Sequence, residues 1–448
     1  MNFVPNTSEE KKEMMDFLGI GSIIELFEDI DQSMRLKSEL DLPKPMSESE
    51  IQRHMKKMSG SCGDIQNFPC FLGAGAYNHF IPSAVEQLIS RGEFYTSYTP
   101  YQAEMSQGML QSIFEFQSMI CELTKMDVAN ASLYDGASAM AEAVNLAVKH
   151  NEKKCVLVSK AVHPEYRLVL RTYANAFDVG IVEVETENGL SDIQDMESKI
   201  KDDMACIIVQ SPNFFGCIEN LREISDLAHK NNLLLIAGLT EPISLGLLKP
   251  PGELGADIVV GEAQAFGNPL CYGGPHLGFA AAKLEFLKKM PGRISGLSVD
   301  AKNESGYILT LQAREQHVRR ERATSNICTN QALNALAATI YLALAGKNGL
   351  KKVAEICAHR AHYAHKRISE IEGFSPRFSA PFFNEFVVNC PSSAKDVNSM
   401  LLKKKILGGF EMGRFYNELE NSIMLCVTEM NPKEDIDRLV AALGEVVP

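Results

Sequence analysis

From about residue 127 onward, short apolar runs alternate with longer stretches in which apolar side chains return every three or four positions. The runs at 155–159, 180–185, 206–209, 233–237, 258–260 and 277–282 predict buried strands. The periodic stretches at 165–174, 193–201 and 220–231 predict helices between them. Such alternation argues for a largely parallel sheet covered by helices on both faces. In sheets of this kind ligands bind beyond the carboxyl ends of the strands. That rule gathers 135–138, His163, 210–213, 238–241 and 262–275 around one crevice.

Residues 1–70 carry only short helical patterns. Thr7 or Ser8 can cap a first helix, 20–30 predicts a second, and Ser47 with Glu50 spells a capping box. An arm with so little core must pack on the main domain or on a second chain. A longer helical period at 102–126 runs through Met105, Met109, Ile113, Phe116, Ile120 and Leu123, a core stripe. The loop before it holds three tyrosines and three hydroxyl residues in the seven positions 95–101. It reads equally as an aromatic packing loop or as a polar-aromatic rim over a pocket. After residue 333 an apolar helix runs to about Gly346. Helix 350–371, strand 385–388, helix 394–402, strand 423–426 and helix 433–443 follow. The expected division is a helical arm (1–90), a large α/β domain (91–330) and a small C-terminal α/β domain (331–448).

A chain of 448 residues is too long for one compact core, which fits that division. Its net charge of −13 argues against a nucleic-acid footprint. No apolar stretch is long enough to span a membrane, and the N-terminus has neither signal-peptide nor transit-peptide character. The eleven cysteines include no CxxC and no zinc-ligand spacing, so buried, reduced thiols, a cytoplasmic location and no metal are expected.

Motifs for nicotinamide, nucleotide or serine-hydrolase chemistry are missing: no GxGxxG opens a βαβ unit, and there is no P-loop or GxSxG. Asp135, Gly136, Ala137 and Ser138 start a helix and read as an ordinary Asp cap or as a turn that holds phosphate on helix N–H groups. His163 follows a strand, as a hydrogen-bonded residue or a stacking surface for a flat ring. His359, His362 and His365 recur on a helix without a completing carboxylate or thiol, so a solvated face is expected. The run Arg319, Arg320, Glu321, Arg322 reads as solvated, with an anion clamp as the alternative, and Thr329 is expected to cap the next helix.

Four long stretches carry a resemblance: FLGAGAYNHFIPSAV, EFYTSYTPYQAEMSQGMLQSIFEFQSMICELTKMDVANASLYDGASA, GEAQAFGNPLCYGGPHLGF and RRERATSNICTNQALNALAATIYLALAGKNGL. They resemble the N-terminal subunit (subunit 1, alpha) of the two-subunit glycine dehydrogenase (decarboxylating), the P-protein of the glycine cleavage system. The resemblance implies a pyridoxal-phosphate-dependent transferase-like large domain of the aspartate-aminotransferase class (fold type I). It also implies two homologous halves, of which only the second binds the cofactor. Laid on this chain, the family's phosphate turn falls at Gly136, Ala137 and Ser138, and its ring-stacking histidine at His163. Its pyridine-nitrogen aspartate falls at Ala237, its Schiff-base lysine at Ala265, and the histidine before that lysine at Gln264. The nearest lysines, Lys249 and Lys283, lie on the far sides of the flanking strands, and Lys160 comes too early in the strand order.

Without the carboxylate nothing holds the pyridinium protonated, and without the amine there is no covalent anchor. The implied role is a subunit that completes a sister subunit's site in an α2β2 assembly. That assembly decarboxylates glycine and passes the aminomethyl group to the lipoyl arm of H-protein. Tyr95, Tyr98, Thr99 and Gln102 are then expected to face the sister subunit's cofactor. Two other classes compete: a stand-alone pyridoxal-phosphate enzyme using another lysine, and a purely structural or regulatory module.

Overall fold

The computed structural model describes residues 6–65 and 67–446. They fall into two compact units divided between Gly63 and Asp64. In the first unit, Ser47 and Glu50 form the expected capping box on helix Glu48–Ser59, and Thr7, the expected cap of helix Ser8–Leu18, forms a second box with Glu10. Neither helix buries a residue. The helix expected at 20–30 is only a short 3₁₀ segment, Ile23–Phe27. Left-handed Gly19 ends the helix before it, and Ser22 caps so brief a turn that no apolar stripe develops.

The second unit is built on seven strands. They are β1 (Val128–Ala129), β2 (Cys155–Ser159), β3 (Gly180–Val184), β4 (Met204–Gln210), β5 (Leu234–Leu239), β6 (Ile258–Glu262) and β7 (Gly278–Ala282). Their order is β1-β7-β6-β5-β4-β2-β3. Strands β2 to β6 pair in parallel, while β7 runs antiparallel to β6 and β1 antiparallel to β7. All seven residues of β4 are buried, as a strand covered on both faces requires.

On one face, helix Gly136–Asn151 packs Met140 and Val144 against Ile208, Ile236 and Val260. On the other, Phe116 and Ile120 of helix Gln107–Thr124 and Ala338 of helix Ala332–Ser369 cover Leu235, Val259 and Phe279. Each large apolar side chain fully buried here contributes about 1.5–3 kcal/mol.

The helix expected from residue 102 begins at Gln107, and Met105 lies outside it, 82% exposed. The Gln107 side-chain amide accounts for the late start. It accepts from Tyr307 N and donates to Tyr307 O, both at 2.8 Å, like an extra strand residue. Its partner belongs to a hairpin, Ile294–Val299 with Ser305–Thr310, that the apolar pattern did not announce. The long helix is broken at Gly346, whose φ of 56° permits the kink where the sequence reading placed a boundary.

A four-stranded antiparallel sheet follows, centred on Glu385–Asn389 and Ser422–Cys426 and flanked by helices Ala394–Lys403 and Lys433–Gly444. Its edge also takes in the segment around residue 71: Phe71 N donates to Leu407 O, and Cys426 N donates to Phe71 O.

Candidate functional site

The residues gathered at the strand ends do meet in one place. Strand β4 ends at Gln210, whose side-chain oxygen accepts from His163 N at 2.9 Å and whose amide donates to Thr240 Oγ1 at 3.1 Å. Strand β6 ends at Glu262, 2% exposed. Glu262 Oε1 accepts from Gln264 N (3.1 Å) and Leu277 N (2.8 Å), and Oε2 accepts from Gly136 N (3.0 Å). Burial pushes the Glu262 carboxyl up, against those backbone donors.

The helix start at Gly136 is thus internally satisfied. Asp135 Oδ1 accepts from Ser138 N at 2.7 Å, which completes an Asp cap, and Glu262 takes the Gly136 N–H. A methyl group placed on Gly136 would lie 2.4 Å from the Tyr166 hydroxyl, so that phenol fills the space above the turn. The Tyr166 ring stacks on His163, with centroids 4.8 Å apart and planes at 29°. His163 Nε2 lies 2.8 Å from Ala74 O and so carries the proton, while Nδ1 accepts from Glu165 N. Burial lowers the His163 pKa and keeps the ring neutral.

The remaining space is taken by the stretch Gly73–His79. Gly75, at φ +97°, brings the backbone so close to His163 that any side chain there would lie 2.9 Å from the ring. Gln264, which the resemblance lays at the family's histidine, accepts from Tyr77 N (2.9 Å) and donates to Tyr77 O (3.1 Å) and Asn268 O (2.7 Å). The Tyr77 hydroxyl, fully buried, donates to Glu385 Oε2 at 2.8 Å and lies 3.3 Å from Thr240 Oγ1. Burial, opposed by bonds from Ala74 N and Tyr77, moves the Glu385 carboxyl up to about 7.

Ala237 and Ala265 are 0% and 2% exposed and belong to one apolar cluster with Ala263, Phe266 and Tyr341. Lys249 is exposed, Lys283 is paired with Asp257, and Lys160 with Glu185. The residues present do not fit pyridoxal phosphate: a carboxylate and a phenol occupy the turn at Gly136 that the resemblance assigns to phosphate, and neither an amine nor a carboxylate stands at the two alanines.

The tyrosine loop is a separate, outward-facing feature. Tyr95, Tyr98 and Tyr101 are 67%, 72% and 56% exposed. Gln102 is exposed too, and Thr99 half-buried. Two anchors hold the loop. Tyr98 OH and Thr99 Oγ1 face Thr329 Oγ1 at 3.1 and 3.5 Å. The Arg293 guanidinium donates to Tyr101 OH (3.1 Å) and Cys328 O (2.6 Å) and lies over the Tyr101 ring at 5.3 Å. Thr329 therefore serves the loop instead of capping, because helix Ala332–Ser369 starts after Gln331 with no side-chain cap.

The sequence reading missed Tyr77, Tyr166, Arg293 and Glu385. The available signal was the alternation Gly73, Ala74, Gly75, Ala76, which suits a backbone passing close to its neighbours. His359 and His362 are exposed, as expected, and the His362 ring also stacks on Phe382 at 4.1 Å and 14°.

Residues 1–443 match the family described as Glycine cleavage system P-protein. A Desulfitobacterium hafniense protein named probable glycine dehydrogenase (decarboxylating) subunit 1 is 50% identical over 446 residues and is covered, like this chain, over 100% of its length. A Bacillus mycoides protein of the same name is 50% identical over 444 residues, 99% of each chain. Among solved structures, an inhibitor-bound glycine decarboxylase (P-protein) of the glycine cleavage system is 40% identical over 100% of both chains, with a TM-score of 0.91. A Lactobacillus brevis glutamate decarboxylase, 11% identical with a TM-score of 0.70 over 93% of this chain and 96% of its own, shares the fold.

Proposed function

Because the chain belongs to the glycine cleavage system P-protein family, we propose that it is the subunit of glycine dehydrogenase (decarboxylating) that completes a pyridoxal-phosphate site held by its sister subunit. The two subunits form an α2β2 assembly in the cytoplasm. The assembly decarboxylates glycine and delivers the aminomethyl group to the lipoyl arm of H-protein. The observation that carries the division of labour is the filled crevice, with Glu262 and Tyr166 at the phosphate turn and alanines at 237 and 265.

When bound to the sister subunit, pyridoxal phosphate supplies the electron sink for loss of carbon dioxide. This chain supplies a surface. The exposed phenols of Tyr95 and Tyr98, the Thr99 hydroxyl and the Gln102 amide orient glycine or the lipoyl arm and limit the water that reaches them. The anchors at Arg293 and Thr329 support this role, because positioning groups must be held still.

The test is exchange of labelled bicarbonate into the carboxyl group of glycine, run on each subunit alone and on the mixture, followed by borohydride reduction and peptide mapping. Exchange is expected only in the mixture, with the reduced pyridoxyl group on a sister-subunit peptide. A pyridoxyl-lysine on a peptide of this chain would overturn the assignment and favour the stand-alone reading.

A further inference from the structure

Behind the filled crevice, three segments distant in sequence bring together a histidine, a thiol and a carboxylate. His79, Cys357 and Glu429 place their ligand-type atoms within 4.8 Å of one another. His79 Nδ1 is 2.7 Å from Glu429 Oε2, and Cys357 Sγ is 3.3 Å from the same oxygen. The other histidine nitrogen, Nε2, lies 2.9 Å from Glu241 Oε2. The His79 and Glu241 side chains are 2% and 1% exposed, and Cys357 is fully buried.

We propose that His79 Nδ1, Cys357 Sγ and Glu429 Oε2 form a structural site for a divalent cation of the zinc class. The donor set of one imidazole, one thiolate and one carboxylate is the mixture such an ion prefers. Glu241 stands where the partner of a metal-bound histidine stands: it fixes the tautomer by accepting the Nε2 proton, which leaves Nδ1 free to ligate. Charge points the same way. Two carboxylates and a thiol surround one imidazole in a buried cluster, and Arg360 reaches only the Glu429 carbonyl, at 2.6 Å. A dication offsets that excess.

Entry of the ion displaces the proton between His79 and Glu429 and the thiol proton of Cys357. It also widens the 2.7 Å contact by roughly half an ångström, to the ligand separation of a tetrahedral centre with bonds of about 2 Å. Three protein donors leave the fourth tetrahedral position to a water molecule, and with His79 and Cys357 enclosed no substrate-sized ligand reaches it, so the ion is a staple. It joins the 71–80 segment, the long helix Ala332–Ser369 and the turn after strand Ser422–Cys426. Histidine and cysteine lie 278 positions apart, which is why spacing could not announce the set.

The test uses the full-length chain, purified without chelator and without a histidine tag. It is stripped by dialysis, then reloaded with zinc chloride or cobalt chloride and assayed for metal by mass spectrometry. The expected result is about one ion per chain, a higher melting temperature on reloading, and a thiolate-to-cobalt charge-transfer band. Cys357→Ser should abolish that band, and Glu241→Gln should weaken zinc binding about ten- to a hundredfold. Exposed Cys62 and Cys271 are the competing thiols, and their double serine variant should keep the band. Metal content at background, or equal binding by wild type, Cys357→Ser and His79→Gln, would overturn the proposal and leave a hydrogen-bonded imidazolium between two carboxylates. If His79→Gln does not fold, Cys357→Ser and Glu241→Gln still decide.

Discussion

Glu142 shows what one buried carboxyl does to the whole chain. It sits on helix Gly136–Asn151, 3% exposed, with Oε2 unpartnered. Burial, only partly offset by Ser325 and Lys149, raises its pKa from 4.5 to about 7. The folded chain therefore keeps this proton at pH values where the unfolded chain has lost it. Stability from this group is full below pH 4.5, falls as pH rises, and is lost above about 7. Glu142→Gln should accordingly be more stable than wild type at pH 8, by roughly 3 kcal/mol at most, with the difference closing near pH 4.5. Urea unfolding at several pH values measures this, and a constant difference across pH would contradict it.

The two alanines pose the complementary question. Ala265→Lys places an amine where the resemblance lays the family's lysine, yet it buries an ammonium in an apolar cluster, with Glu262 already bound to the Gly136 N–H. The variant should be less stable than wild type and show no pyridoxal chromophore when incubated with the cofactor. Ala237 and Ala265 entered the sequence reading through the family resemblance, and the structure shows both buried in one apolar cluster. The Glu262 carboxylate on Gly136 was not legible in the sequence, since 126 positions separate the pair and only the folded sheet joins them.

At the level of elements, periodicity identified what is buried and overlooked what is half-exposed. Strand Cys155–Ser159 falls at the expected boundaries because both faces are covered. The hairpin Ile294–Val299 with Ser305–Thr310 escaped because Leu297, Val299 and Ile308 are exposed and blur its alternation. Tyr307 of that hairpin holds Gln107 at the start of the next helix, and Arg293, just before the hairpin, holds Tyr101 of the tyrosine loop. Its exposed residues have little to lose in folding, so Tyr98→Phe and Gln102→Ala should each change stability by under about 0.5 kcal/mol. In the reconstituted complex the same variants should slow bicarbonate exchange about ten- to a hundredfold, the effect of losing one transition-state hydrogen bond of roughly 1.5–3 kcal/mol. Wild-type exchange rates in both variants would favour a purely structural role for the chain.

For the molecule as a whole, the division at Gly63 separates a unit whose helices bury no side chain from one that holds, among the described residues, the large apolar clusters. Deleting residues 1–63 should leave 64–448 folded, with its melting transition within a few degrees of the full chain. The deletion should weaken association with the sister subunit, because permanent assemblies bury well over about 2,000 Å² and an arm is an economical way to reach that area. Sedimentation of the mixture checks this, and unchanged assembly by the shortened chain would assign the interface to the body alone. Within this unit the Thr7 cap and the Ser47–Glu50 capping box were readable in advance.

The filled crevice also works as a ratchet. To hold a phosphorylated ring the chain would have to gain an amine at Ala265 and a carboxylate at Ala237, shed the charge of Glu262, and withdraw both Tyr166 and the Gly73–His79 stretch. Each change alone is harmful: a lone buried amine or acid is unpaired, and losing Glu262 orphans three backbone N–H groups. Each single step toward such a site therefore carries its own cost in stability, and the filled crevice resists a return to cofactor binding.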